Sequence, residues 1–530
     1  MKQIAYFSAE YSVADSLPIY AGGLGILAGD IVQEAGAEGR NFHAYGMVYH
    51  QSFTSGDPDT RTMSQRLEAE GFAIIGGEDG KARTIEVTVE DQPVKVVAWR
   101  KAFGTASLTL LDTKVRGNPG PIRQITDHLY DGRNGMMLRQ QIVLGLGATA
   151  LMAVEGFNPD IYHLNEGHMT FVGIAAALRY RRSHVGMTLA DAFDAMRPTI
   201  AATKHTILAG AGLTLEPTVL REALGRNLSD PDADMAAIMA LGGKPDGYFS
   251  TTRAVLALAG HHSGVSMIHV RTEAINHPGS PLVATTNGVY AARWRAAELT
   301  GNQSDDELRA IHNANRHELV EHVNRATGRE LAPNCLTVVW ARRMTAYKRP
   351  ELLVSDLKRL AALANNPNRP VRFIVAGKAN PADATGIGLM NQIINAANLA
   401  NLRDHFAYLP NYNPASARLL VQGADVWLNT PIRGLEACGT SGMKASLNGA
   451  LQLSVSDGWI DAIDIEPIGW DLPEEAPIAT LYDILEQQVA PLYYDQPDAW
   501  TAKMRANINL IESRFTADKM LTRYDEILYK

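Results

Sequence analysis

The chain of 530 residues is 46% hydrophobic and 20% charged. At about 150 residues per domain it has apolar material for two to four cores, which excludes a lone small binding module and a mainly disordered chain. Its 49 basic and 57 acidic residues leave a formal net charge of -8, so no general field favours nucleic acid and any anion site must be local. Cys335 and Cys438 are the two cysteines; with no Cys or His at metal-ligand spacing, neither a disulfide framework nor a metal centre is suggested, and a reducing compartment fits.

The opening MKQIAYFSAEYSVADSLP has one early lysine and an apolar stretch broken by Glu10 and Asp15, unlike a signal peptide. Strands are expected over residues 4–8, 42–48, 161–164, 199–203, 336–341, 371–376, 425–429 and 451–455, alternating with stretches of helical period, the pattern of βαβ units and parallel sheets. Residues 84–99 read as an antiparallel hairpin turning at Asp91-Gln92-Pro93. Helices are expected over 138–154, 306–326 and 351–364, the last with Leu352, Leu353, Leu357, Leu360 and Ala361 on one side. The longest apolar run, 142–154, has 13 residues, fewer than the roughly 18 to 20 that span a bilayer, so a buried helix and a cytoplasmic protein are expected. The stretch Asn276-His277-Pro278-Gly279-Ser280-Pro281 reads as a linker between two α/β halves. Domains are expected at 1–280 and 281–475, with mostly helical residues 476–530 packing back across the first half.

Four places can carry chemistry. Gly22-Gly23-Leu24-Gly25 follows a strand and opens a helix, where bare N–H groups attract phosphate, although a plain turn reads equally well. Arg342, Arg343, Lys348 and Arg349 cluster at the carboxyl end of a strand, where open α/β sheets bind ligands; in an acidic chain that suggests a dianion site. Lys444 sits among small residues between two apolar strands, where desolvation favours the neutral amine that forms a Schiff base with an aldehyde; a snorkelling surface lysine is the alternative. Asn165-Glu166-Gly167-His168, Lys204-His205-Thr206 and Thr286-Asn287-Gly288 are polar residues in tight contexts that serve equally as caps or core hydrogen bonds. Spacing alone stops at a two-domain α/β enzyme with an anion-binding cleft.

In order, SAEY, LPIYAGGLGILAGD, LRQQIVLG, HLNEGH, TKHT, TTNGV, ARRMTAYKR, AGKANPAD and EACGTSGMKASLNGALQLSVSDG cover nearly the whole chain and resemble the α-glucan (glycogen/maltodextrin) phosphorylase family, the retaining glycosyltransferases that depend on pyridoxal phosphate. The resemblance implies an α/β GT-B architecture, two Rossmann-like domains facing a cleft with C-terminal helices crossing back. It implies Lys444 as the Schiff-base lysine, and Arg342, Lys348, Tyr412, Gly23 and Thr440 as further cofactor ligands. Arg343 and Lys348 match the family's phosphate-binding cations, with Tyr347 its neighbouring aromatic, and Gly22, Gly23 and Leu24 match the glycine loop. His205, Asn287, Glu436, Ala437, Cys438 and Gly439 match the residues that hold the transferred glucose; Lys444, Arg343, Lys348 and His205 form the implied catalytic set.

The implied reaction is phosphorolysis of the non-reducing-end glucose of an α-1,4-glucan. Orthophosphate protonates the glycosidic oxygen, an oxocarbenium-like transition state forms, and phosphate attacks the same face to give α-glucose 1-phosphate. The cofactor's 5′-phosphate assists proton transfer, so no paired catalytic carboxylates are required. A homodimer is the family habit, and no nucleic-acid, membrane or metal partner is implied. The chain is shorter than the animal enzymes and resembles a compact prokaryotic branch, so control through their N-terminal phosphorylation and nucleotide-effector segments is not expected. Cys438 stands where the family usually has Ser, and Tyr290-Ala291-Ala292 replaces the usual residues after Asn-Gly. The rival enzyme is a nucleotide-sugar-dependent GT-B glucan synthase, in which a second glutamate follows the first by eight positions; here that position is Lys444. The third reading is a non-catalytic glucan-binding relic.

Overall fold

The computed structural model describes the chain except residues 1, 52–58, 78–79, 208–211, 277–278 and 381–382. Two compact units emerge: Met1–Val265 with Asn276–Thr285 and Met520–Lys530, and Ser266–Ile275 with Thr286–Lys519. Of the expected linker, His277 and Pro278 lie outside the described residues.

The first unit is built on a ten-stranded sheet. Its strands are β1 (Ile4–Phe7), β2 (Phe42–Met47), β3 (Ala73–Ile74), β4 (Ile85–Val89), β5 (Gln92–Phe103), β6 (Ala106–Asp112), β7 (Ile161–Asn165) and β8 (Ile200–Lys204). Thr214–Leu215 (β9) and Phe249–Ser250 (β10) form a separate antiparallel pair, and β11 (His261–Gly264) and β12 (Val283–Ala284) complete the main sheet. The order is β12-β11-β8-β7-β1-β2-β6-β5-β3, with β4 on β5. Strands from β12 to β6 pair in parallel and are closed by the antiparallel hairpin. Strand β1 is buried throughout between β2 and β7, as a continuous apolar run in a doubly wound sheet should be.

The hairpin forms, but it does not turn at Asp91-Gln92-Pro93. Glu90 and Asp91, at φ 50° and 59°, make the turn, and Pro93 pairs opposite Thr88 within the ladder. A two-residue turn with both φ positive matches the strand twist, and the Asp91 carboxylate accepts the Arg226 N–H at 2.8 Å.

The helix expected at 138–154 runs Met136–Val154. Its 19 residues are long and apolar enough to cross a membrane by length and composition, yet 72% of the most apolar window is buried inside the protein, as befits a helix apolar all round in a large core. Residues Met520–Lys530 belong to this unit: Tyr529 Oη lies 2.7 Å from His163 Nδ1, and Arg40 pairs with Asp525 at 2.6 Å.

The second unit has six parallel strands: β13 (Leu336–Ala341), β14 (Val371–Ala376), β15 (Phe406–Leu409), β16 (Val426–Asn429), β17 (Leu451–Ser454) and β18 (Gly469–Asp471). Their order is β15-β14-β13-β16-β17-β18, the Rossmann arrangement in which the winding reverses between the first strand and the fourth. The helix Asp305–Thr327 starts at a capping box between Ser304 and Glu307 and stops at Gly328, at φ 66°. Such a cap contributes about 1 kcal/mol, and three acidic residues in the first turn favour the same end.

One expected helix divides. Residues 351–364 form a 3-10 turn, Pro350–Val354, and a separate helix, Leu357–Ala364. Asp356 causes the break, because its carboxylate accepts the N–H groups of Lys358 and Arg359 and caps a new start. The two Rossmann-like sheets expected of the sequence are therefore both present.

Candidate active site

In the second unit the loops leaving β13 and β16 emerge side by side at the reversal point, where open α/β sheets hold ligands. The first loop carries Arg342 and Lys348; the second carries Glu436. All three are buried. Arg342 Nη1 donates to Glu436 Oε2 at 2.8 Å, and Lys348 Nζ bonds the same oxygen. Two cations on one carboxylate leave a net positive charge out of water. Burial alone would raise the Glu436 carboxyl, but Lys348 and Arg342 outweigh it and hold the group down at about 2. Burial, then the Arg342 charge, lowers the Lys348 ammonium from its ordinary value, and the Glu436 carboxylate opposes them and favours the charged form.

The backbone around these groups is tied down. Arg349, at φ 46°, donates from Nε to Thr430 O at 2.9 Å and from Nη2 to Pro431 O at 2.6 Å. Thr430 donates to Lys348 O at 2.8 Å and accepts the Trp340 indole N–H at 3.1 Å, fastening the cation loop to the β13 core. Arg349 thus braces the loop, and Arg343 is exposed, its charge acting on the Tyr347 hydroxyl. The sequence cluster of four cations resolves into two buried groups, one brace and one outward guanidinium.

Arg342 Nη2 also donates to Ser441 Oγ at 3.3 Å. Ser441 and Lys444 lie three apart on the helix Thr440–Ser446 and so share a face. Lys444 is buried, with Nζ 4.2 Å from the centre of the Trp294 ring, which excludes the snorkelling alternative. Asn448 fixes both partners: its amide donates to Lys444 O at 2.8 Å and Trp294 O at 3.0 Å, and its oxygen accepts the Ala296 N–H at 2.8 Å. Half-buried Tyr412 follows β15; burial raises its hydroxyl to about 12 against the Arg342 charge. Cys438 is buried beside Asn287, and burial raises its thiol to about 12, so it is not a reactive thiolate. Ala437 O accepts the Ser266 hydroxyl at 2.5 Å, and Gly439, at φ 80°, turns the chain into the lysine helix.

In the first unit the reversal lies between β1 and β7. Glu10, just after β1, accepts the N–H groups of Ala21 at 2.5 Å and Gly22 at 2.9 Å on Oε2, and the Tyr130 hydroxyl at 2.9 Å on Oε1. The Gly22 N–H is therefore held by a carboxylate. Gly23 and Leu24 open the helix Gly23–Ala37, whose first N–H groups have no carbonyl a turn earlier. Gly25 has to lack a side chain, since a Cβ there would lie 2.6 Å from Tyr20 Cβ and 2.8 Å from Glu10 Oε2.

Glu166, at φ 80°, is held in that strained conformation by its carboxylate, which accepts from Gly167 N–H, His205 N–H and the Thr206 hydroxyl at 3.1, 2.9 and 3.0 Å. His205 Nε2 lies 2.5 Å from Asn165 Oδ1, an acceptor, so Nε2 carries the proton. Burial lowers this imidazole to about 4 against the Glu166 charge, and His205 is neutral near pH 7.

His163 is lowered by burial to about 3. As the pH falls from about 6.5, the unfolded chain takes up the two histidine protons first. The stability these neutral rings contribute is complete above about 6.5 and is lost as the pH falls through their folded values; Glu436 adds the same sign between its ordinary carboxylate value and about 2. A loss on the order of 10 kcal/mol is expected between pH 6.5 and pH 3, read as a falling denaturant midpoint. A flat profile would show that these groups take up protons in the folded protein as they do in the unfolded chain.

The donors in the second unit fit a group bearing an aldehyde and a phosphate. There is a buried amine on an aromatic ring, two buried cations, and hydroxyls at Thr440 and Ser441, while Arg342 Nε lacks an acceptor among the described residues. Sequence spacing did not single out Ser441, Trp294, Asn448, Glu10 or Tyr130. Glu10 lay inside the SAEY motif, and Ser441 and Asn448 inside EACGTSGMKASLNGALQLSVSDG, as usable signals; nothing in the spacing marks Trp294.

Residues 296–468 match the family model described as carbohydrate phosphorylase. The chain is 33% identical to the glycogen phosphorylase of Mycobacterium tuberculosis, an alignment covering 99% of this chain and 70% of that protein. It is 32% identical to the glycogen phosphorylase of Aquifex aeolicus, over 100% of this chain and 86% of the relative. With the maltodextrin phosphorylase of Thermococcus litoralis it shares 31% identity, over 99% and 70%. Two Rossmann-like sheets, a buried lysine beside paired cations, and similarity along the whole length lead to one conclusion: the chain belongs to the carbohydrate phosphorylase family.

Proposed function

We propose that this chain is an α-glucan phosphorylase, using orthophosphate to release the non-reducing-end glucose of glycogen or maltodextrin as α-glucose 1-phosphate. The observation that carries the reading is Lys444, buried on the Trp294 ring and on one helical face with Ser441, the hydroxyl that binds Arg342. A synthase has a carboxylate at this position, eight residues after Glu436.

Pyridoxal phosphate would be held by Lys444 through its aldehyde, with Arg342, Lys348, Tyr412 and Thr440 as further ligands. Bound there, it supplies a phosphate that exchanges a proton with the substrate phosphate. Arg342 and Lys348 offset the repulsion between two phosphates, and being fixed beforehand they need no reorganisation when charge develops. Arg343 reaches the incoming phosphate from its exposed position. Glu436 is ionised and held by two cations, so it cannot donate a proton near neutral pH; this argues against a glycosidase acid and for a glucose-hydroxyl acceptor. Asn287 and the Ala437–Gly439 backbone contact the same sugar. Gly23 and Leu24 offer N–H groups to anionic oxygen. His205 is neutral and is not an acid, because its Nε2 proton is engaged by Asn165.

The test is incubation of the holoprotein with phosphate and maltodextrin, following glucose 1-phosphate and its anomer by NMR. Formation of the α-anomer supports the reading; no product with either glycogen or maltodextrin overturns it. Arg343→Ala should raise the KM for phosphate about tenfold, the worth of one charge-assisted hydrogen bond. Its melting temperature should be unchanged because the side chain is exposed. An unaltered phosphate KM would take Arg343 out of the phosphate site.

A further inference from the structure

We propose that Asp457 is a positioning residue of this reaction, setting the backbone of the loop that presents Glu436. The assignment rests on the phosphorylase reading above and adds to it a residue that touches neither sugar nor phosphate. Asp457 is buried at 1% exposure. Its Oδ2 accepts two N–H groups of the loop, from Gly434 at 3.0 Å and Glu436 at 3.0 Å, and its Oδ1 accepts the Gly458 N–H at 2.8 Å. One carboxylate therefore joins the segment after β17 to the segment after β16, and does so at the Glu436 peptide itself.

The neighbouring residues close the same joint. Trp459 N–H donates to Cys438 O at 3.1 Å. Gly458, at φ 58°, passes so close that a Cβ would lie 2.3 Å from Cys438 O. The stretch 434–438 is thus gripped at Gly434, Glu436 and Cys438 by three consecutive residues, Asp457, Gly458 and Trp459. Since Glu436 Oε2 carries both Arg342 and Lys348, a shift of its peptide would move the buried charge cluster as a whole.

Asparagine at 457 keeps the shape, but one of its two acceptor oxygens becomes an NH2 that faces a backbone N–H. The Asn variant therefore loosens one side of the joint. The test is a double-mutant cycle on kcat/KM for phosphorolysis of maltodextrin with Asp457→Asn, Glu436→Gln and both together. Asp457→Asn should lower kcat/KM by about 10- to 100-fold. In the Glu436→Gln background the same change should add less than about threefold, because a residue that works through Glu436 has nothing left to position.

With all variants shown folded at the assay temperature by far-UV spectra, multiplicative single effects would overturn the proposal, since residues that act independently on the transition state contribute independent factors. Should Asp457→Asn fail to fold, Asp457→Glu keeps two acceptor oxygens, and its deficit is read in both backgrounds by the same criterion. The wild-type protein is assayed alongside. An inactive wild type removes the proposed function and this assignment with it, whereas an active wild type with multiplicative effects removes Asp457 alone.

Discussion

Lys444→Ala is expected to give a folded protein that, after borohydride reduction in the presence of pyridoxal phosphate, carries no pyridoxyl mass on the peptide spanning residue 444. The wild type carries one. The amine is fixed from both ends: Asn448 holds the Lys444 carbonyl, and the Trp294 ring, positioned by the same Asn448, lies 4.2 Å from Nζ. With that amine removed the aldehyde has no partner in the site, so added pyridoxal phosphate should not restore retention. Glucose 1-phosphate formation should fall at least about a thousandfold, some 4 kcal/mol of transition-state stabilisation. Removing the side chain leaves a void against Trp294 but strands no hydrogen bond of Asn448, which contacts the backbone of residue 444. Far-UV spectra should therefore match wild type. A reducible adduct on another lysine, or phosphorolysis at the wild-type rate, would move the cofactor away from Lys444.

Both sheets were legible because buried parallel strands are short apolar runs whose identity survives any reasonable boundary error. Residues 336–341 and 371–376 are found at the expected positions as β13 and β14. Departures arose where one polar side chain decides between two local structures. Asp356 caps a new helix inside an unbroken apolar pattern, and Asp91 accepts a hydrogen bond from Arg226, 135 positions away, that no local reading contains.

The site divided in the same way. A cation cluster after a strand is visible in sequence, since strand order is repeated by every βαβ unit, but which cation turns inward is not. Arg342 is buried and Arg343 exposed because successive residues leaving a strand point to opposite sides. Glu436 was legible as a motif residue and not as the shared partner of Arg342 and Lys348, 94 and 88 positions distant. Gly22 was read as a donor to phosphate, whereas its N–H is engaged by Glu10 from the preceding strand end. For Glu436 the missing information is a long-range pairing of charge; for Gly22 it is which acceptor reaches the N–H first.

Glu436→Gln should destabilise the protein by about 3 to 5 kcal/mol in phosphate-free buffer, because it leaves Arg342 and Lys348 buried without their carboxylate. The melting temperature should drop by roughly 10 °C. Phosphate should then restore more stability to the variant than it adds to the wild type. In the wild type the two cations already have an anion, and a bound phosphate has to share them with Glu436. In the variant phosphate supplies the missing negative charge, and at a hundred times its dissociation constant the gain is about 2.7 kcal/mol. Catalytically, the glucan KM should rise more than the phosphate KM, since the lost carboxylate is the proposed acceptor of glucose hydroxyls and not a phosphate ligand. Chloride at the same ionic strength is the control, because screening alone acts equally on both proteins. An equal phosphate-induced shift in the two proteins, or a variant that melts with the wild type, would show that Glu436 is not what compensates the buried cations; a phosphate KM rising more than the glucan KM would place the carboxylate on the wrong substrate.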